Sequence, residues 1–231
     1  MLPQVAVRSN SIKRPAFQAA SPSSPSARNH ESASSVDLMG APMSFSRNNE
    51  IYGEGEPAEY LYKMVSGTVR TSKVLADGRR QVGGFYIAGD IFGLETGNEH
   101  TFSAEAITEC KVLVIKRSAL MALAARDHDV ARQLWTITGT ELGRVQDHIM
   151  LLVKSAQERV AAFLLEMSER VSAGNAVELP MSRQDIADYL GLTIETVSRT
   201  LTVLENAATI ELSSSRRIVL RNRSALRALN G

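Results

Sequence analysis

The chain reads as an α+β protein in three folded blocks: an antiparallel β-roll, a long helix, and a C-terminal winged unit of short helices and a hairpin. Three observations predict it. Glycines punctuate short alternating strands from Phe45 to about Lys116, a proline-free helical pattern follows to about Ser155, and Met181–Glu205 holds two helical periods around Gly191. The expected boundaries are 1–37 for an unstructured extension, 38–117 for the roll, 118–155 for the helix and 156–231 for the C-terminal unit.

Residues 1–37 hold four of the seven prolines, many serines and no acid before Glu31. With no periodic apolar pattern, such a stretch cannot bury enough surface to offset its ordering entropy, so it is expected to be disordered. Next come Ile51-Tyr52 before Gly53, Tyr60 to Val65 before Gly67, Thr68 to Leu75 before Asp77-Gly78, and Gln81 to Ile87 before Gly89. Regular short strands with glycine turns imply a double-sheet roll, and Asp77-Gly78 signals a two-residue hairpin.

In the helical stretch, Ala131, Trp135, Thr138, Leu142, Val145, Ile149 and Leu152 alternate spacings of four and three. That is a coiled-coil seam, apolar except for the threonine. It can either join two copies of the chain or pack on the roll of its own copy.

From Gln157 on, ERVAAFLLEMSERV forms an amphipathic helix with Val160, Phe163, Leu164 and Met167 inward, followed by a strand at Val177–Leu179. Ser182 is a good N-cap with Asp185 three positions on, an acid where the capping box prefers Glu. Ile186, Ala187 and Leu190 make one apolar face, and small Ala187 allows a close crossing by a second helix, whose Leu192, Val197 and Leu201 face the first. Thr193, Ile194, Glu195, Thr196, Ser198, Arg199 and Thr200 are then expected to point outward. An outward face that can hydrogen-bond suits a helix that reads DNA, although a two-helix corner is common in globular domains. Thr209–Leu212 and Ile218–Leu220 make a hairpin with Ser213–Arg217 as its tip, and a helix over 224–229 ends the unit.

Composition narrows the function. A net charge of +1 provides no global pull toward nucleic acid, but residues 212–231 contain five arginines (216, 217, 221, 223 and 227) and no acid. That fits a surface near phosphate or a solvated face. The single cysteine, Cys110, excludes an internal disulfide and a four-thiolate site. It lies in the alternating stretch AITECKVLVIKR, which suits a structural or surface thiol. His30, His100, His128 and His148 have no metal-site spacing, and no nucleophile–base constellation emerges, so neither a cofactor nor an enzymatic activity is expected. No apolar run is long enough for a membrane span, and a cytoplasmic protein is expected.

The segment MSRQDIADYLGLTIETVSRTL, and within it Glu195, Ser198 and Arg199 in the pattern E-x-x-S-R, resembles the recognition element of the Crp/Fnr superfamily, closest to its FixK branch. The resemblance covers about residues 44–225 and includes the roll sequences GEPAEYLY, GTVR, DGRRQV, GDIFGLE and SAEA. It implies a homodimeric transcription regulator, usually an activator, that binds an inverted TTGA-type repeat and works with RNA polymerase on genes of low-oxygen respiration and nitrogen fixation or denitrification. By this resemblance Ile194, Glu195, Ser198 and Arg199 meet bases, whereas Arg183, Thr193, Thr196 and Thr200 meet phosphates. Trp135, Leu142, Val145, Ile149 and Leu152 pair two subunits.

Nucleotide-binding members carry an arginine immediately before a Ser/Thr-Ala pair. Here Ser103-Ala104 follows Phe102, and a buried ring there implies that cyclic-nucleotide binding is lost. Oxygen-sensing members hold an iron–sulfur cluster with N-terminal cysteines, and the first 109 residues contain none. In those members a negative charge on the pairing helix opposes dimerisation, and the matching position is Val145. A cyclic-nucleotide-responsive regulator of the same superfamily is the alternative.

Overall fold

The structure, a computed structural model, describes residues 40–171 and 174–230. The expected disordered extension therefore lies outside the described residues. Eight strands come first: β1 (Ala41–Phe45), β2 (Glu50–Tyr52), β3 (Tyr60–Ser66), β4 (Thr68–Val74), β5 (Arg80–Ile87), β6 (Ile91–Phe92), β7 (Ser103–Ala106) and β8 (Cys110–Lys116). They form two antiparallel four-stranded sheets, ordered β1-β8-β3-β6 and β2-β7-β4-β5. Strand alternation sends Met64, Val69, Phe92, Ala104, Ala106 and Val112 into a shared core. The rings of Tyr52, Tyr62 and Phe92 fill its middle, with centroids 5.3 Å (Tyr52–Tyr62) and 5.1 Å (Tyr62–Phe92) apart. Cys110 is buried there, and burial pushes its thiol pKa up, which makes it structural rather than a surface thiol.

The β4–β5 hairpin differs from its expected form. The Leu75 N–H donates to the Arg79 carbonyl (2.8 Å) and the Gly78 N–H to the Leu75 carbonyl (2.9 Å), so Ala76, Asp77 and Gly78 make a three-residue loop. Gly78 has φ +83°, while Asp77 stays out of the left-handed region and accepts the Arg79 N–H on its side chain (3.0 Å). A two-residue type I′ turn would need positive φ at both central residues. The wider loop asks it only of glycine.

The helical stretch is two helices, not one: α1 (Arg117–Ala124), packed on β8, and α2 (His128–Leu152). Asp127 starts α2 by accepting the N–H groups of Asp129 (2.9 Å) and Val130 (3.3 Å). α2 turns Val130, Leu134, Glu141, Arg144, His148 and Leu151 toward the rest of the chain. The C-terminal unit follows as α3 (Ala156–Val171), β9 (Ala176–Glu178), α4 (Arg183–Leu190), α5 (Ile194–Asn206), β10 (Ile210–Leu212), β11 (Arg217–Leu220) and α6 (Arg223–Asn230), its sheet ordered β10-β11-β9.

Its core is continuous with the roll. Val82 and Phe85 of β5 join Phe163, Tyr189 and Leu164, with Phe85 5.3 Å from Tyr189 and 6.2 Å from Phe163 between ring centroids. The reading unit is thus seated on the second sheet of the roll rather than hung from a linker.

Candidate nucleic-acid interface

The two helices expected around Gly191 are α4 and α5. Ser182 has extended backbone and accepts the Asp185 N–H on Oγ (3.1 Å), while Asp185 Oδ2 accepts the Ser182 N–H (3.0 Å), closing a full capping box. Gly191 ends α4 at φ +62°, a conformation that bends the chain into the next helix without a Cβ clash. Thr193 then caps α5, its Oγ1 accepting the Thr196 N–H at 3.2 Å. Val197, Leu201 and Leu204 are buried against α4 and α3, so the facing residues of α5 are set by helical period alone.

On the opposite face Thr193, Ile194, Glu195 and Arg199 are exposed, and Thr196 and Ser198 are half-buried. The Glu195 carboxyl is held below its ordinary pKa by its own backbone N–H and then by the Thr193 hydroxyl, so it is an ionised acceptor at the start of the helix. Arg183 reaches from α4 to donate to Ser198 Oγ (3.3 Å), and its Nε is buried without a hydrogen-bond partner. Arg183 therefore braces the two helices and orients Ser198, a contact that lies fifteen residues apart in sequence. Thr200 is a correction. Only 8% exposed, it follows Val197 by three positions and precedes Leu204 by four, which puts it on the packing face and not on the outward face expected of a phosphate contact.

The C-terminal arginines divide by partner. Arg216 and Arg217 stand at the hairpin tip, where Ser214 Oγ accepts both of their N–H groups (3.3 and 3.0 Å). Arg221 is paired with Glu211, and Arg223 donates to the Gly174 carbonyl (3.0 Å), so these two are spent on the fold. The wing guanidiniums and exposed Arg227 are the basic groups left to meet an anion.

The seam on α2 faces outward. Trp135 is 81% exposed and Val145 49%, with Leu142, Ile149 and Leu152 also open, while the opposite face of the helix packs on the roll and α3. The possibility that the seam packs on the roll of its own copy is thereby removed.

Where a nucleotide phosphate would meet an arginine in the roll, the Phe102 ring lies against Gly83, close enough that an added Cβ on that glycine would stand 3.0 Å away. The ring is half-buried, not buried, and it sits beside the β4–β5 bulge at Gly83. Ser103 Oγ is occupied by the Glu54 N–H (2.9 Å), and Glu95 accepts both the N–H and the hydroxyl of Thr101 (3.0 Å each). Among the described residues no three His, Cys, Asp or Glu side chains gather as a metal-ligand set, and no helix is long and apolar enough to cross a membrane.

One feature of the reading unit had no signal in the sequence. Asp185 Oδ1 accepts from Arg70 Nη1 of β4 (2.6 Å) and from Arg80 Nη2 of β5 (2.7 Å), and Arg80 also pairs with Asp188 (2.6 Å). These partners are separated from Asp185 by more than a hundred residues, and although Arg70 ends GTVR and Arg80 lies in DGRRQV, neither run points to a partner on α4.

A Crp-like helix-turn-helix domain model matches residues 158–229, and a cyclic nucleotide-binding domain model matches residues 42–127. The chain is 53% identical over 201 residues to the nitrogen fixation regulation protein FixK of Azorhizobium caulinodans, covering 84% of this chain and 81% of that protein. It is 41% identical over 203 residues to the protein of the same name from Rhizobium meliloti, covering 84% and 93%. The solved structure of FixK2 from Bradyrhizobium japonicum superposes with a TM-score of 0.81 at 51% identity, covering 84% of this chain and 98% of that one. These relatives are transcription regulators and not enzymes. With both domains matched and such identity over most of its length, the chain belongs to the Crp/Fnr superfamily of DNA-binding transcription regulators, in its FixK branch.

Proposed function

We propose that the protein works as a homodimer that recognises an inverted TTGA-type repeat without a small-molecule effector, and that it activates genes of low-oxygen respiration and nitrogen fixation or denitrification together with RNA polymerase. The observation that carries this reading is the pairing of two exposed faces: a polar face on α5 and an apolar seam on α2. A dimer built on the seam presents two copies of α5, and two-fold symmetry in the protein calls for two-fold symmetry in the operator. The target genes rest on the names of the relatives, which are nitrogen fixation regulators.

In this reading the N-terminal end of α5 enters the major groove. Glu195, an acceptor only, pairs with the N4 amino group of the cytosine opposite the G of TTGA. Arg199, one turn on, donates to guanine O6 and N7 or to a thymine O4, Ile194 packs on a thymine methyl, and Ser198, held by Arg183, adds an adaptable hydroxyl to the base-reading face. Thr193, Thr196 and the guanidinium of Arg183 meet phosphates and set the register of the helix. The absence of an effector is supported by Phe102 in the place of an arginine and by Val145, uncharged at the centre of the seam.

The test is binding of the purified protein to a panel of operators changed one base pair at a time. The reading predicts the steepest losses at the G·C pair of each half-site, and loss of that preference with Glu195→Ala. Retention of the wild-type preference in Glu195→Ala overturns the base assignments. The alternative, a cyclic-nucleotide-responsive regulator, is supported by the family of the roll. A rise in melting temperature or operator affinity with cyclic AMP or cyclic GMP would establish it.

A further inference from the structure

The ion-pair cluster at the start of α4 has chemistry that capping alone does not require. Asp185 has a side chain only 5% exposed, and both of its oxygens are committed. Oδ2 accepts from the N–H and Oγ of Ser182 (3.0 and 2.7 Å), which is the cap, while Oδ1 points out of the helix to Arg70 Nη1 and Arg80 Nη2. Burial opposes ionisation of this carboxyl, but the two Ser182 hydrogen bonds and then the two guanidiniums outweigh it, and its pKa lies below the ordinary value. The arginines are themselves held from the side of the roll, Arg70 by Glu105 on β7 (2.8 Å), and Arg80 is further tied to Asp188 one turn along α4. A glutamate would serve the capping box at least as well. The shorter aspartate keeps its second oxygen low on the helix, where both arginines reach it.

We propose that Asp185, Arg70 and Arg80 form a clamp that fixes the angle of the reading head on the roll, and that this clamp determines which half-site spacing the dimer accepts. The inference rests on the DNA-reading assignment above and deepens it. The apolar contact between β5 and α4 supplies most of the buried area, but apolar burial is non-directional and tolerates rotation. Charge-assisted forks are directional, and two of them, rooted on neighbouring strands and converging on one oxygen, leave the head little freedom to turn. In a two-fold dimer the head angle sets the separation of the two recognition helices, and each added base pair both moves and rotates the second half-site. Arg70, Arg80 and Asp185 are positioning residues in this scheme, since they hold the head and touch no base.

The experiment uses the full-length protein and inverted repeats with identical half-sites, at the native spacing and lengthened by one and two base pairs. Wild type should prefer the native spacing by at least about tenfold. Arg70→Met with Arg80→Met keeps the aliphatic stems and removes the forks. This variant should lose affinity for the native spacing, fall to within about threefold between spacings, and keep both the dimer and the base preference within a half-site. Asp185→Asn, which retains the shape, should lose spacing discrimination in the same direction. Ser182→Ala, which strips the cap and leaves the arginine pairs, should keep it. Unchanged discrimination in the folded arginine variant, or equal behaviour of Asp185→Asn and Ser182→Ala, overturns the clamp. Should the arginine variant fail to fold, the Asp185→Asn and Ser182→Ala pair decides alone. Failure of wild type to bind the native-spacing repeat at all overturns the DNA-reading assignment instead, so the two failures are distinguishable.

Discussion

Helices α2 and α5 are both amphipathic and both pack one face on the molecule, yet they leave opposite chemistries on the other. α5 buries Val197, Leu201 and Leu204 and exposes Glu195 and Arg199, whereas α2 buries Val130 and Leu151 and exposes Trp135, Val145 and Ile149. Exposed polar groups on a helix cost nothing in water and are free to exchange it for base edges and phosphates. Exposed apolar groups in a row are costly unless another surface covers them. The face each helix leaves unsatisfied is what the proposed reading assigns to a partner: nucleic acid for α5 and a second α2 for the seam.

The comparison is broken most severely at the centre of the seam. Val145→Asp places like charges near one another across a two-fold interface, which costs several kcal/mol, and operator affinity should fall by roughly two orders of magnitude or more. Sedimentation of the variant should show monomer where wild type is a dimer at micromolar concentration, and a monomeric wild type would end the argument. On α5, Arg199→Ala comes next. A good base contact carries about 1–3 kcal/mol of discrimination and the dimer uses it twice, so specific binding should collapse toward the non-specific level while the dimer persists. Quantitative gel shift with specific and scrambled operators checks this.

Arg183→Ala should have a smaller effect of a different kind. Loss of one phosphate contact per subunit weakens all sequences alike and reduces the slope of log affinity against log salt by about 2 for the dimer. Because Arg183 also holds Ser198, a modest broadening of base preference should accompany it. A salt titration on matched and mismatched operators separates the two contributions. The smallest effect expected is that of cyclic nucleotides. Millimolar cyclic AMP or cyclic GMP should leave the melting temperature unchanged, whereas an increase would reassign the roll as a working switch.

Much of this contrast was legible in the residues. The Ser182 and Asp185 capping box, the left-handed Gly191 and the burial of Val197 and Leu201 are local or periodic features, and the structure has each of them. The structure departs from the expectation where the local pattern admits two geometries. With Val197 and Leu201 taken as the whole inward face, Thr200 falls outside, but Leu204 widens that face and Thr200 is buried within it, small enough to fit. Asp77-Gly78 favours a two-residue turn. The strands instead close around three residues, which leaves only Gly78 in the left-handed region.

The sequence by itself determined the elements and the chemistry of their faces, because capping, helical period and strand alternation act over a few residues and are written in residue types. It also determined the family, through a run of residues too specific to arise from packing alone. Only the tertiary structure decided which face of α2 is left open, how Phe102 sits over Gly83, and that Arg70 and Arg80 meet on Asp185. The last of these depends on bringing β4, β5 and α4 together across more than a hundred residues. Charged side chains so far apart in the chain carry no periodic signature, and they acquire partners only once the sheet and the helix are in place.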